Sequence, residues 1–137
     1  MLNANKTITV VNHWYDKAAD TWVYACHVLH GCSWFSKNIH IADGTGLHRA
    51  FVHQIRIPTA AAADTAYCEP QQWAALSAAE KAVCWTLGCE AKLVLGEIKS
   101  LTAAEYAALP RLFTVAAGLT WHDNRNSAHP HWYAEGS

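Results

Sequence analysis

Charge is scarce in this chain. Only 15% of its 137 residues are Asp, Glu, Lys or Arg, and ten bases against eleven acids leave a formal charge of −1. That excludes a strongly basic binder of nucleic acid or anionic membrane, which needs a concentrated positive field. A weakly charged surface with a pI near 6.7 favours association with other proteins. No apolar run approaches the roughly eighteen residues of a membrane span. Met1–Thr7 lacks the charged and then apolar regions of a secretory signal. The expectation is a product that stays in the cytoplasm where it is made, or leaves by lysis. Cysteines are few, five at irregular spacing (26, 32, 68, 84 and 89), and read as small core residues in a reducing compartment.

Apolar residues, by contrast, make up 52% of the chain, although 25 of them are alanine. The remainder, with seven tryptophans, suffices for a real core and excludes a disordered chain. At 15.1 kDa, residues 1–137 fit a single domain.

Periodicity places the elements. The β-branched run Thr7–Trp14 predicts a strand with Ile8, Val10 and Trp14 on one face. Tyr15–Thr21 predicts a turn, and Trp22–Leu29, closed by Gly31, the returning strand of a hairpin. Ile39–Ala42 reads as a short strand before an Asp43–Gly46 turn. In His48–Pro58, Phe51, His53, Ile55 and Ile57 share a face. Thr59–Thr65 reads as a flexible connection.

Ser77…Glu80 and Thr102…Glu105 are capping boxes, which satisfy two orphan amides at a helix start. They predict two helical insertions, near 71–84 and 102–109, the second ending before Pro110. Lys92–Leu95 reads as a short strand. Leu112–Trp121 alternates best of all and is expected to pair antiparallel with His131–Ala134, with Trp132 buried. The Trp22–Leu29 strand is apolar on both faces. Trp22 and Tyr24 are assigned to the core. Val23 and Ala25 are assigned to a face covered by another part of the chain or by a second subunit. No strand–helix–strand rhythm appears, so no parallel sheet is expected. The expected fold is mainly β: a small antiparallel, partly open barrel or sandwich with two short helical insertions.

Nine histidines raise metal chemistry. Cys26, His30 and Cys32 occupy alternate positions of one extended stretch, as zinc ligands on a strand do, but no fourth ligand stands at matching spacing. His129 and His131 beside His122 and Asp123 form a second candidate, for nuclease-like metal chemistry, though carboxylates are scarce there. Both sets also read simply as half-buried strand and polar turn. Gly44-Thr45-Gly46 lacks the lysine and helix of a phosphate loop. No catalytic residue, cofactor site or metal ligand is assigned.

Thr7–Val10, Tyr15-Asp16-Lys17, Asp20-Thr21-Trp22 and Leu29–Phe35 resemble the opening of a family of small proteins encoded in tailed-phage and prophage structural gene clusters. Arg56-Ile57-Pro58, Trp85–Gly88, Phe113-Thr114-Val115, Asp123-Asn124-Arg125, Pro130-His131-Trp132 and Glu135-Gly136 extend the resemblance over most of the chain. It departs where the family pattern runs Gly-Asp and this chain has Gly88-Cys89-Glu90. Such genes lie among those for head–tail connector and minor capsid proteins. The resemblance implies a virion part at the neck: a head-closure, stopper or connector ring between portal and tail, commonly a small β-barrel with loops reaching into the channel. Its partners would be portal or adaptor and tail proteins, other copies of itself, and passing DNA, with no membrane. It would be assembled in the host cytoplasm. The motifs are structural, and no functional residue is carried over from them. A capsid decoration or tail-end protein is the neighbouring possibility. A metal-binding or metal-dependent hydrolase-like domain is the alternative of another class.

Overall fold

The computed structural model describes residues 5–44, 46–62 and 65–137. Thr45 of the expected turn, Ala63 and Asp64 of the expected connection, and the side chains of 39–43 and 47–50 lie outside the described residues. The strands are β1 (Lys6–Asp16), β2 (Thr21–Asp43), β3 (Gly46–Pro58), β4 (Ala66–Tyr67), β5 (Cys84–Trp85), β6 (Lys92–Leu95), β7 (Val115–Ala116), β8 (Thr120–Asn124) and β9 (His131–Gly136). The helices are α1 (Pro70–Ala74), α2 (Ala78–Val83) and α3 (Ala103–Leu112), with a 3-10 turn at Thr59–Ala62.

Seven strands form one antiparallel sheet in the order β7-β6-β1-β2-β3-β9-β8, curled into a half-barrel. β2 is the shared member. Its first half pairs with β1 as far as Cys32, and its second half pairs with β3 from Ser33 onward. At the handover Gly31 adopts φ +78°, and the register slips between Ile8↔Leu29 and Lys6↔Cys32. That is a bulge: one extra residue in β2 reverses which face each later side chain occupies. Leu29 therefore faces inward, and so do Cys32 and Trp34, which would otherwise point out. The same reversal explains why Ser33–Asn38 shows no clean alternation with the residues before it. The expected end of the strand at Gly31 is corrected: β2 runs through it to Asp43.

The concave face is filled by the chain between β3 and β6. Trp85, Leu87, Ala61, Ala62 and Tyr67 pack with Ile8, Val10, Leu29, Trp34, Ile55, Ile57, Leu93 and Trp132. Trp85 and Trp132 meet edge to face at 5.1 Å, and Tyr67 lies 4.8 Å from Trp85. The Trp85 indole donates to Thr65 Oγ1 at 2.9 Å. On the convex face Val11, Val94, Ile98 and Leu109 form a second cluster beneath α3. Two buried polar side chains of β1 fasten these layers. Asn12 mimics a strand partner, donating to Thr86 C=O (2.9 Å) and accepting from Thr86 N–H (3.2 Å). Thr9 Oγ1 donates to Gly96 C=O (2.8 Å) and accepts from Ile98 N–H (3.0 Å).

Both capping boxes form. Ser77 Oγ accepts from Glu80 N–H at 3.3 Å, and Thr102 Oγ1 from Glu105 N–H at 3.2 Å, with each glutamate reaching back to the cap amide. The expected first insertion is two helices, because Ser77 starts a new one after α1 has ended. The second runs through Pro110 to Leu112. In the last turn a proline forfeits only one intrahelical bond, to the carbonyl of Tyr106, so it does not stop the helix there.

Leu112–Trp121 is likewise not one strand. Leu112 ends α3, β7 pairs with β6, and Gly118 (φ +61°) bends the chain so that β8 pairs with β9. Ala117 exchanges both backbone hydrogen bonds with Ser137 at the bend, so one segment supplies both outer strands of the curled sheet.

The assignment of Trp22 and Tyr24 to the core is corrected. By register Val23 and Ala25 share the inner face with Trp14 and Asn12, whereas Trp22 and Tyr24 lie on the face of α3. Tyr24 packs on Tyr106 of α3, and Trp14, opposite Val23, meets Trp73 of α1 at 5.8 Å. Trp22 remains 50% exposed.

Trp132 is buried at 4% exposure, pairs with Ile57 on one side and Asp123 on the other, and touches Trp85 and Tyr67. Trp132→Ala should lower unfolding stability by about 3–5 kcal/mol. Chemical denaturation of the full chain measures this, and an unchanged midpoint would contradict the packing described.

Candidate functional site

Two exposed surfaces lie at opposite ends of β2. At its far end, 37–43 and 46–52 pair only with each other among the described residues, because β1 stops at Cys32 and β9 at His53. This two-stranded ribbon is about 23 Å long at the usual rise per residue. An isolated two-stranded hairpin is marginal in water. Phe51, opposite Asn38, is nonetheless 59% exposed, and Phe35 and Lys37 are exposed as well.

A cleft of about 360 Å³ opens at the ribbon's base, lined by Ser36, Phe51, His53, Pro110, Phe113, Thr114 and Val115. Ser36 Oγ lies 2.7 Å from His53 Nδ1, and Trp34 Nε1 donates toward both Ser36 Oγ (3.2 Å) and His53 Nδ1 (3.4 Å). Serine and imidazole at this spacing resemble a nucleophile and its base. Among the described residues, however, no carboxylate hydrogen-bonds to this ring, so the orienting third group of a triad is lacking. The pair was not singled out from sequence, because only the β2–β3 register brings residues 36 and 53 opposite each other.

At the near end of β2, β1 and β2 present a ladder of rings beside α3. Tyr15 meets Trp22 at 5.6 Å, Trp22 meets His13 at 5.4 Å, His13 meets Tyr106 at 5.3 Å, and Tyr106 meets Tyr24 at 4.6 Å. Glu90 lies 3.6 Å from His13 Nε2, Lys92 sits over the Tyr106 ring, and Tyr15 donates to Asp20. That hydrogen bond and partial burial raise the Tyr15 hydroxyl above its ordinary range, and burial raises Tyr106.

The residues considered for metal binding do not converge. The Gly31 bulge puts Cys26 with the convex cluster and Cys32 in the concave core, although both have even numbers. Burial pushes Cys26 up to about 11 and Cys32 to about 12, which disfavours the thiolate that a metal requires. His30 Nδ1 lies 3.0 Å from Thr7 Oγ1. On β8, His122 stacks on Tyr133 while its neighbour Asp123 points to the opposite face. There Arg125 grips the Asp123 carboxylate (2.6–3.0 Å), reaches Glu69 at 3.5 Å, and lies over Tyr67 and Trp132. The guanidinium holds the Asp123 carboxyl below its usual range. His131 Nδ1 donates to His129 C=O at 2.6 Å. Among the described residues no three His, Cys, Asp or Glu side chains are grouped to hold a metal ion.

A sequence model of a family of unknown function (DUF6751) matches residues 2–137, and the chain belongs to that family. No curated protein and no solved structure matches it.

Burial lowers the pKa values of His13, His27 and His53 below the ordinary 6.5, opposed at His13 by Glu90 and at His27 by a hydrogen bond to the Cys84 backbone. Above that value both folded and unfolded chains hold these rings neutral. As pH falls through it the unfolded chain takes up protons first, so stability declines until the folded-state values are passed. Thermal melts from about pH 7.5 to about pH 5 should therefore show a falling Tm. His53→Gln should show a smaller fall, and a Tm independent of pH over this range would refute the assignment.

Proposed function

We propose that the protein is a bacteriophage virion structural protein of the head–tail interface: a head-closure, stopper or connector subunit that works without catalysis in a homo-oligomeric ring. In this reading it is assembled in the host cytoplasm and contacts portal or adaptor proteins, tail proteins and, in passing, DNA in the channel. The observation that carries the reading is the β2–β3 ribbon. Soluble monomers protect exposed strand edges with charge, bulges or a covering element. Here seven-residue stretches of two strands leave their outer edges unpaired among the described residues and carry an exposed phenylalanine. A subunit that reaches for a neighbour has a use for such an arm. The resemblance of residues 7–35 and 113–136 to a family of small proteins encoded in tailed-phage structural gene clusters points the same way. The dispersed thiols and imidazoles give the metal-dependent alternative no comparable support.

Mass spectrometry of purified particles from a strain carrying the gene, beside the producing-cell lysate, tests this. Peptides of the chain should co-purify with particles through a density gradient, and disruption of the gene should leave heads without joined tails. Recovery from lysate alone, with normal particles after disruption, would sink the reading.

A further inference from the structure

We propose that Cys68 and Cys84 are an oxidisable pair, closing to a reversible disulfide that ties together the two ends of the α1–α2 segment. The oxidant is a small-molecule disulfide, and the inference stands apart from the reading of the protein as a virion subunit.

The two cysteines bracket that segment. Cys68 lies just before α1, and Cys84 caps the end of α2 and opens β5. β4 and β5 pair parallel through Ala66↔Cys84 and Tyr67↔Trp85, and Cys68 N–H extends the pairing by donating to Trp85 C=O at 2.9 Å. Side chains alternate along a strand, so Tyr67 and Trp85 share the face turned to the core, and Cys68 and Cys84 share the other. There they are diagonal neighbours, and the Cys84 thiol hydrogen-bonds with that of Cys68. Both are half-buried, so a small oxidant can reach them. Cys26 and Cys32 lie in separate clusters, and the exposed Cys89 turns its Sγ to Pro70 C=O at 3.6 Å. Among the described residues no third His, Cys, Asp or Glu joins the pair, which therefore lacks the donor set of zinc.

The chemistry balances as two exchanges. One cysteine, as thiolate, attacks a sulfur of the small disulfide, breaking its S–S bond and releasing one small thiol. The other cysteine then attacks the protein sulfur of that mixed disulfide, joining Cys68 to Cys84 and releasing the second small thiol. Two electrons pass to the oxidant, and the two protons lost by the cysteines end on the released thiols. Burial and the hydrogen bond to Cys68 raise the Cys84 thiol above its ordinary range, so the exchange quickens as pH rises. In a reducing compartment the pair stays as thiols. The bond would act where the fold is held most thinly. α1 and α2 have five and six residues, too few to keep a helix alone, and β4–β5 stands outside the seven-stranded sheet. Its short pairing also lets β4 make the small approach that bonding of diagonal neighbours requires. Closing the segment removes freedom from the unfolded chain.

The test treats the reduced full chain with oxidised glutathione at about pH 8.5, then traps free thiols with iodoacetamide. Peptide mapping without reduction should find one intrachain bond, Cys68 to Cys84. Of the five thiols the other three should be alkylated or, at the exposed Cys89, joined to glutathione. Tm should rise by about 5–10 °C and fall back on adding dithiothreitol. Cys89→Ser should keep the bond and the rise, whereas Cys68→Ser or Cys84→Ser should lose both. A glutathione adduct that persists on Cys68 or Cys84, a bond to any other cysteine, crosslinks only between chains, or an oxidised form with unchanged melting would overturn the proposal. Mapping on the unaltered chain decides it even where a serine variant fails to fold.

Discussion

The fold hangs on the change of partner within β2. One strand serves two halves of a curled sheet, and it can do so only because Gly31 takes a left-handed conformation that side-chain-bearing residues rarely adopt. The extra residue lets Leu29, Cys32 and Trp34 all enter the same core although their spacing is not that of a regular strand. On the opposite side Gly118 performs the matching operation, bending one segment from the β6 edge to the β9 edge. Between these two glycines the sheet wraps around Trp85 and Trp132, whose large apolar surfaces fill the concavity.

This geometry explains what was legible in the sequence. Strict alternation survives wherever a strand keeps one partner and one phase, as in His53, Ile55 and Ile57, all buried along β3. The capping boxes at Ser77 and Thr102 were legible because they are local, depending on one side chain three residues from another. Alternation misled where a glycine inserts a residue. The parity of 26 and 32 suggested a shared face, and 112–121 read as a single strand. Trp22 misled for another reason: ring size alone argued for burial, while its position beside the β1–β2 turn leaves half of it in solvent. The ribbon and the Ser36–His53 approach depend on pairing register, which alternation does not specify.

The buried polar residues of β1 show how a small chain covers both faces of a central strand. Asn12 and Thr9 both lie in a β-branched run and look at first like ordinary strand residues. Each instead satisfies backbone groups of a segment that has no place in the seven-stranded sheet: 86 on the concave side, 96 and 98 on the convex side. Since an unsatisfied buried amide costs about 1–3 kcal/mol, these two side chains do more than tolerate burial. They set the height at which the inner layer and the segment leading to α3 rest on the sheet.

A separation of duties follows. Of the described side chains between 37 and 52, none belongs to either buried cluster. The body is held by tryptophan packing and by the Arg125 clamp, which ties the β8–β9 loop to Tyr67 and Glu69. Ordering a two-stranded ribbon costs about 1–2 kcal/mol of backbone entropy per residue, against which its ladder of hydrogen bonds acts. Substitutions at Gly31, Asn12 or Trp132 act on the fold itself, because they touch the bulge, the strand mimic and the core ring that hold the body together.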